Sequence, residues 1–239
     1  MKLCEGAWSL PALRHPILAQ VVRRVILVNL LLVACLMPAH AAEVRRPIRL
    51  VAFGDSLTAG YMLSPAQSFP SQLAKALKDK GHTVDIANAG VSGDTTANGL
   101  ERFDWAIPDG TEAVILELGA NDALRGLPPK KARANLEKII EKLRQRNIEV
   151  LIAGMIAPKN MGSDYGREYN PIFRDLATKY GLVYYPFFLD GVAMDPALNL
   201  SDGLHPSGKG VARIVERMLP SVEELLSRVE ARRLAATKS

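Results

Sequence analysis

The sequence predicts a single three-layer α/β/α domain, flavodoxin-like in arrangement, with a five-stranded, mainly parallel sheet. Three observations predict it. Short apolar or β-branched runs recur at residues 48–53, 83–87, 113–118, 149–154 and 182–185, each closed by Gly, Asn or Pro. Segments of helical periodicity separate them, which implies βαβ units with helices on both faces of one sheet. No repeat or low-complexity linker divides the 239-residue chain, and 48% hydrophobic residues can fill one core.

The elements follow in order. Residues 1–41 read as an export signal. Arg23 and Arg24 precede an apolar run of 13 residues, 25–37, interrupted only by Asn29, and Ala39-His40-Ala41 supplies a small-x-small cleavage site. That run is shorter than the roughly 20 residues a membrane-spanning helix needs. The expected product is a periplasmic or secreted domain of residues 42–239. Residues 1–22 form a long lead-in, consistent with a start codon placed too far upstream. Leu32-Val33-Ala34-Cys35 offers the alternative of a lipoprotein anchored through Cys35.

Removing the leader changes the chemistry available. Both cysteines, Cys4 and Cys35, and two of four histidines leave with it. The remainder carries 26 basic and 24 acidic residues, so the net charge of +5 for the whole chain falls to +2. Without a dense basic cluster interleaved with aromatics, nucleic acid is not an expected partner. One well-placed histidine and no cysteine cannot build the usual zinc set, so no metal is expected. Neither glycine-rich phosphate loop follows any strand, which argues against a nucleotide-binding flavodoxin-like protein. No cofactor is implied.

Among the helices, residues 68–80 carry Pro70 in the first turn, with Leu73 and Leu77 one turn apart. Residues 130–146 place Ala132, Leu136, Ile139, Ile140 and Leu143 on one face. Residues 169–180 form a weaker pattern with Phe173, Leu176 and Ala177. A last helix from Ser207 to about Glu230 has Val211, Ile214, Val215, Met218 and Leu219 in phase, with a kink or restart expected at Pro220. Residues 231–239 are expected to fray.

In a parallel sheet, ligands bind beyond the carboxyl ends of the strands. Four polar groups fall at that edge. Gly54-Asp55-Ser56-Leu57 follows the first strand, Asn88-Ala89-Gly90-Val91-Ser92-Gly93-Asp94-Thr95 the second, and Gly119-Ala120-Asn121-Asp122 the third. Asp202-Gly203-Leu204-His205 lies after the fifth. Taken singly, each has a plain structural reading: Ser56 as a turn or helix cap, Asn121 as an Asx turn, Asp202 and His205 as a capped helix start. His82, in a helix-to-strand turn, keeps that reading. Together, the groups supply what acyl transfer needs. Ser56 is the candidate nucleophile, His205 the base that takes its proton, and Asp202 the carboxylate that fixes the imidazole tautomer. The backbone N–H groups of Ser56 and Gly93 and the side-chain amide of Asn121 are candidate oxyanion donors.

These four groups, in this order, resemble the blocks of the GDSL, or SGNH, hydrolase superfamily over roughly residues 48–220. The finer resemblance is to bacterial thioesterase I/lysophospholipase enzymes and their arylesterase relatives. It rests on Gly54-Asp55-Ser56-Leu57-Thr58-Ala59-Gly60-Tyr61, on Glu117-Leu118-Gly119-Ala120-Asn121-Asp122-Ala123-Leu124-Arg125-Gly126, and on Tyr165-Gly166-Arg167-Glu168-Tyr169-Asn170. The resemblance implies an SGNH hydrolase fold, a Ser56/Asp202/His205 triad and an oxyanion hole of Ser56, Gly93 and Asn121. It further implies hydrolysis of a small ester or thioester through an acyl-enzyme. Leu124, Leu127, Met155, Ile156 and Met161 are candidates to line an acyl groove, with an equal reading as core residues. A carbohydrate O-acetyl esterase carries the same blocks, but 6% aromatic residues leave few rings for a sugar platform. An acyl-binding module with lapsed catalysis is the rival from another class, and the filled catalytic positions count against it.

Overall fold

The computed structural model describes Gln20 and residues 46–237. Apart from Gln20, the expected export leader, with its Cys35, lies outside the described residues. Five parallel strands form one sheet: β1 (Ile48–Gly54), β2 (Val84–Gly90), β3 (Ala113–Glu117), β4 (Glu149–Ala153) and β5 (Val183–Tyr185). Their order is β2-β1-β3-β4-β5, the flavodoxin-like order expected, with a single reversal of direction beside β1. β3 lies inside the sheet and is buried throughout. β2, at an edge, alternates between half-buried and exposed positions over its first four residues, as a strand covered on one face must.

Among the described residues, nine α-helices follow the same logic of apolar spacing and capping. On one face lie α1 (Ser56–Ala59), α2 (Phe69–Asp79) and, much later, the long C-terminal helix. On the other lie α3 (Thr96–Glu101), α4 (Phe103–Ala106), α5 (Ala120–Leu124), α6 (Pro129–Gln145), α7 (Ser163–Tyr169) and α8 (Ile172–Tyr180). The C-terminal helix, α9 (Gly208–Ala236), packs on α2, β4 and β5. A single 3₁₀ turn precedes α2, and another lies between β4 and α7. In α6 the buried residues are Ala132, Leu136, Ile139, Ile140 and Leu143, the face predicted from spacing.

Three expectations are corrected. The pattern at residues 169–180 divides into α7 and α8, because Pro171 has no N–H with which to continue α7. Asn170, at the joint, instead accepts a hydrogen bond from the Ala157 N–H at 2.8 Å. The last helix neither breaks at Pro220 nor ends near residue 230. Pro220 faces solvent, where the carbonyl it leaves unpaired can be hydrated. The apolar stripe meanwhile continues across it through Val222, Leu225, Leu226 and Val229. The end of α9 is tied down by Arg233, whose guanidinium grips the Glu112 carboxylate at 2.8 and 2.5 Å, with Arg46 on the same carboxylate at 2.9 Å. Among the described residues, no helix is long and apolar enough to cross a membrane.

Candidate active site

The register brings the predicted groups to one edge. Gly54, last in β1, pairs with Gly90 on one side and with Glu117 on the other. The chain then turns sharply into α1, with Asp55 as its N-cap: Asp55 Oδ1 accepts from the Leu57 N–H at 3.0 Å. Ser56 therefore starts a helix just outside the sheet. The turn fits only because its neighbours are small. A β-carbon at Gly54 would stand 2.1 Å from Thr58 Oγ1, and one at Gly90 would stand 2.3 Å from the Ala59 nitrogen.

His205 arrives from the loop before α9, which Ser207 caps by accepting from the Gly210 N–H. An isolated bridge between Asn199 and Pro206 closes this loop. His205 Nε2 lies 2.9 Å from Ser56 Oγ, and His205 Nδ1 lies 2.7 Å from Asp202 Oδ2. Asp202 Oδ1 also accepts from the Leu204 and His205 N–H groups at 2.9 and 3.0 Å. Those backbone donors, His205 N–H first, and then the imidazole hold the Asp202 carboxyl down at about 2. A carboxylate ionised at every working pH accepts a hydrogen bond from Nδ1–H, which leaves Nε2 as an acceptor facing the serine hydroxyl. The Tyr61 ring lies against the imidazole, with centroids 4.5 Å apart.

The other two predicted groups close around the serine. Gly93 sits at φ +88°, a left-handed backbone that suits glycine, and its carbonyl accepts from Arg125 Nη2 at 2.8 Å. Asn121 Nδ2 donates to the Asp94 carbonyl at 3.0 Å and to Asp55 Oδ2 at 3.1 Å. Asn121 thus bridges the residue before Ser56 and the residue after Gly93. Asp122, behind it, accepts from the Thr96 N–H and hydroxyl at 2.8 and 2.7 Å, tying α5 to α3.

Of the proposed groove residues, Leu124 and Ile156 are exposed at this edge, while Leu127 and Met161 are half-buried. Met161 Cε lies against Gly126, beside Leu127. Met155 is corrected: it is 4% exposed and belongs to the hydrophobic core, because the chain has not yet left the sheet layer there. His82 keeps its structural reading, pairing with Glu223 at 3.2 Å.

Three residues at the site were not singled out from sequence. Tyr61 lies within the first quoted block, though nothing in its spacing marked it as a partner of His205. Glu117, fully buried, accepts from Thr58 Oγ1 at 2.7 Å and from the Asp55 N–H at 3.3 Å. Burial, with the neighbouring Asp55 carboxyl adding to it, pushes Glu117 well above the usual carboxylate range. Burial likewise raises Asp55 to about 6. Arg102 donates to the Asp94 carboxylate and to the Gly54 carbonyl. Its partners lie 8 and 48 residues away, so only the fold could reveal them.

Such a sheet, with a hydroxyl, an imidazole and a carboxylate aligned beyond its strand ends, defines an acylhydrolase of the three-layer α/β/α type. The chain belongs to the GDSL-like lipase/acylhydrolase family, which it matches over residues 52–213. It is 38% identical over 191 residues to an arylesterase of Vibrio mimicus, covering 80% of this chain and 94% of that one. It is 31% identical over 179 residues to thioesterase 1/protease 1/lysophospholipase L1 of Escherichia coli, covering 74% and 85%. The crystal structure of AlinE4, an SGNH-hydrolase family esterase, superposes with a TM-score of 0.64 at 46% identity, covering 76% and 97%. The expected family and fold are thereby shown, and the chain is a carboxylic ester hydrolase.

Proposed function

We propose that this protein hydrolyses small acyl and aryl esters, and more slowly acyl thioesters or lysophospholipids, through an acyl-enzyme on Ser56. The observation that carries the reading is the continuous line Asp202–His205–Ser56, at 2.7 and 2.9 Å. Ser56 Oγ attacks the carbonyl carbon while His205 Nε2 takes its proton. The resulting oxyanion is held by the Ser56 and Gly93 N–H groups and by Asn121, which turns one N–H from Asp55 to the substrate. The tetrahedral species then collapses: the bond to the leaving oxygen or sulfur breaks, and His205 returns the proton to it. Water repeats the cycle against the acyl-serine, and the acid leaves. Asp202 stays ionised throughout and steadies the imidazolium.

Exposed Leu124 and Ile156, with half-buried Leu127 and Met161, form the apolar wall for the acyl chain. The resemblance to arylesterase and thioesterase relatives favours short to medium chains on good leaving groups. We further place the mature protein outside the cytoplasm, released after Ala41. N-terminal analysis of envelope protein should begin at Ala42, and a lipidated Cys35 would replace release by anchoring.

One panel tests the function: aryl esters of increasing acyl length, acyl-CoA thioesters, lysophospholipids and acetylated oligosaccharides, all with purified protein. Aryl esters should turn over fastest, with measurable thioester or lysophospholipid cleavage. Activity confined to acetylated sugars would replace this reading with a carbohydrate O-acetyl esterase.

A further inference from the structure

The structure assigns to Arg102 the role of a positioning residue that sets the spacing between the Ser56 turn and the Gly93 loop. This rests on the reading of Ser56 as nucleophile. Arg102 is 6% exposed and sits where α3 passes into α4. Its Nε donates to Asp94 Oδ2 at 2.5 Å and its Nη2 to the Gly54 carbonyl at 2.9 Å. Gly54 is two residues before Ser56, and Asp94 directly follows Gly93. The carbonyl of the same Asp94 accepts from Asn121. One planar guanidinium therefore spans the two loops that carry the backbone oxyanion donors, and through Asp94 it reaches the residue that carries the third.

The surroundings hold the group in one orientation. Its guanidinium carbon lies 4.4 Å over the Phe53 ring, with Trp105 at 5.9 Å. Side chains alternate along β1, so Phe53 and Arg102 lie on the face opposite the one that Glu117 shares with Gly54. The strand end that feeds Ser56 is thus clamped from both faces. Buried ion pairs are weak contributors to stability and can often be exchanged for apolar residues at no loss. Among the described residues, this one also leaves Arg102 Nη1 buried without a hydrogen-bond partner. Packing alone does not call for such a group here. A rigid fork that reaches acceptors on two loops does, and lysine, a single point of charge, cannot replace it.

Arg102→Lys and the apolar pair Arg102→Met with Asp94→Leu test the assignment. The pair removes both buried charges at once, so folding does not suffer from a stranded partner. Each is assayed for its thermal transition, for kcat and KM on an aryl acetate, and for the rate at which an alkyl fluorophosphonate labels Ser56. In both variants kcat should fall about 10- to 100-fold with KM within about threefold. Phosphonylation, which needs the same oxyanion site, should slow by a similar factor. A kcat within twofold of the parent in either folded variant would overturn the role and leave Arg102 a structural ion pair. Failure of the parent protein itself to be labelled at Ser56 would instead sink the nucleophile reading beneath it.

Discussion

Asn121 gives one amide N–H to Asp55 Oδ2 at 3.1 Å and the other to the Asp94 carbonyl at 3.0 Å, so its donors are engaged before any substrate arrives. The arrangement holds the amide in place between the two loops it must serve. Its acceptor on the Asp55 side is a carboxyl that burial has raised to about 6. Trading that contact for an oxyanion exchanges one charge-assisted hydrogen bond for another. The exchange takes place only as negative charge develops. Asn121→Ala should therefore lower kcat by about 10²–10³ with little change in KM. Steady-state kinetics on an aryl ester decide it, and a change in KM alone would assign Asn121 to ground-state binding.

Ser56→Ala and His205→Ala should each remove nearly all activity and leave the fold intact. Both side chains are part-buried at the loop edge, and neither fills the core. Losses of about 10³-fold or more are expected, and the double variant should lose little beyond either single one, because the two act as a unit. His82→Ala should be neutral, since its contact is to Glu223 on α9. Greater damage from His82→Ala than from His205→Ala would move the base.

Glu117 links the site to pH-dependent stability. Its carboxyl is raised well above 4.5 by burial, so the folded chain holds a proton that the unfolded chain releases. That contribution is complete below the ordinary carboxylate range and is lost as pH rises through the folded value. Asp55, raised from 3.8 to about 6, acts in the same direction between those values. Glu117→Gln keeps an oxygen to accept from Thr58 and from the Asp55 N–H while removing the titration. Its thermal midpoint relative to the parent should rise between pH 5 and pH 9, by at least about 2–4 °C, the shift that ~1 kcal/mol makes in a domain of this size. A constant offset across that range would show that Glu117 does not titrate there.

The proposed acyl wall predicts a length dependence. Each methylene buried against Leu124, Leu127, Ile156 and Met161 should contribute up to ~0.8 kcal/mol, so kcat/KM should climb with chain length and break where the wall ends. Ile156→Ser should flatten the climb for longer esters and leave acetate nearly unchanged. Met155→Ser, by contrast, should lower the melting temperature, because Met155 belongs to the core.

The strands and the edge that carries the site were legible because each rests on short-range signals, whereas the order of the strands is set by long-range pairing. Apolar runs closed by Gly, Asn or Pro mark strands, and the parallel rule then places every polar block at one edge. Ser56, Gly93, Asn121, Asp202 and His205 followed from that placement. The division at Asn170 and Pro171 was in the sequence too, since proline ends the preceding helix. The unbroken α9 was not, because its continuation depends on Pro220 facing solvent while Val222 and Leu226 meet the core. Arg102 and Glu117 were illegible for another reason. A charged residue inside a helical or strand pattern reads as surface, and only the fold shows these two buried around Gly54.

Asp202 and His205 share one tight turn, joined through side chain and backbone and closed by the Asn199–Pro206 bridge. The acid and the base therefore travel as a cassette. The apolar side chains proposed to meet the acyl chain, Leu124, Leu127, Ile156 and Met161, stand on other segments, after β3 and β4, and can change without parting the two. Proton relay and substrate preference are built from separate segments of chain, and an engineer or natural selection can rewrite the second while leaving the first untouched.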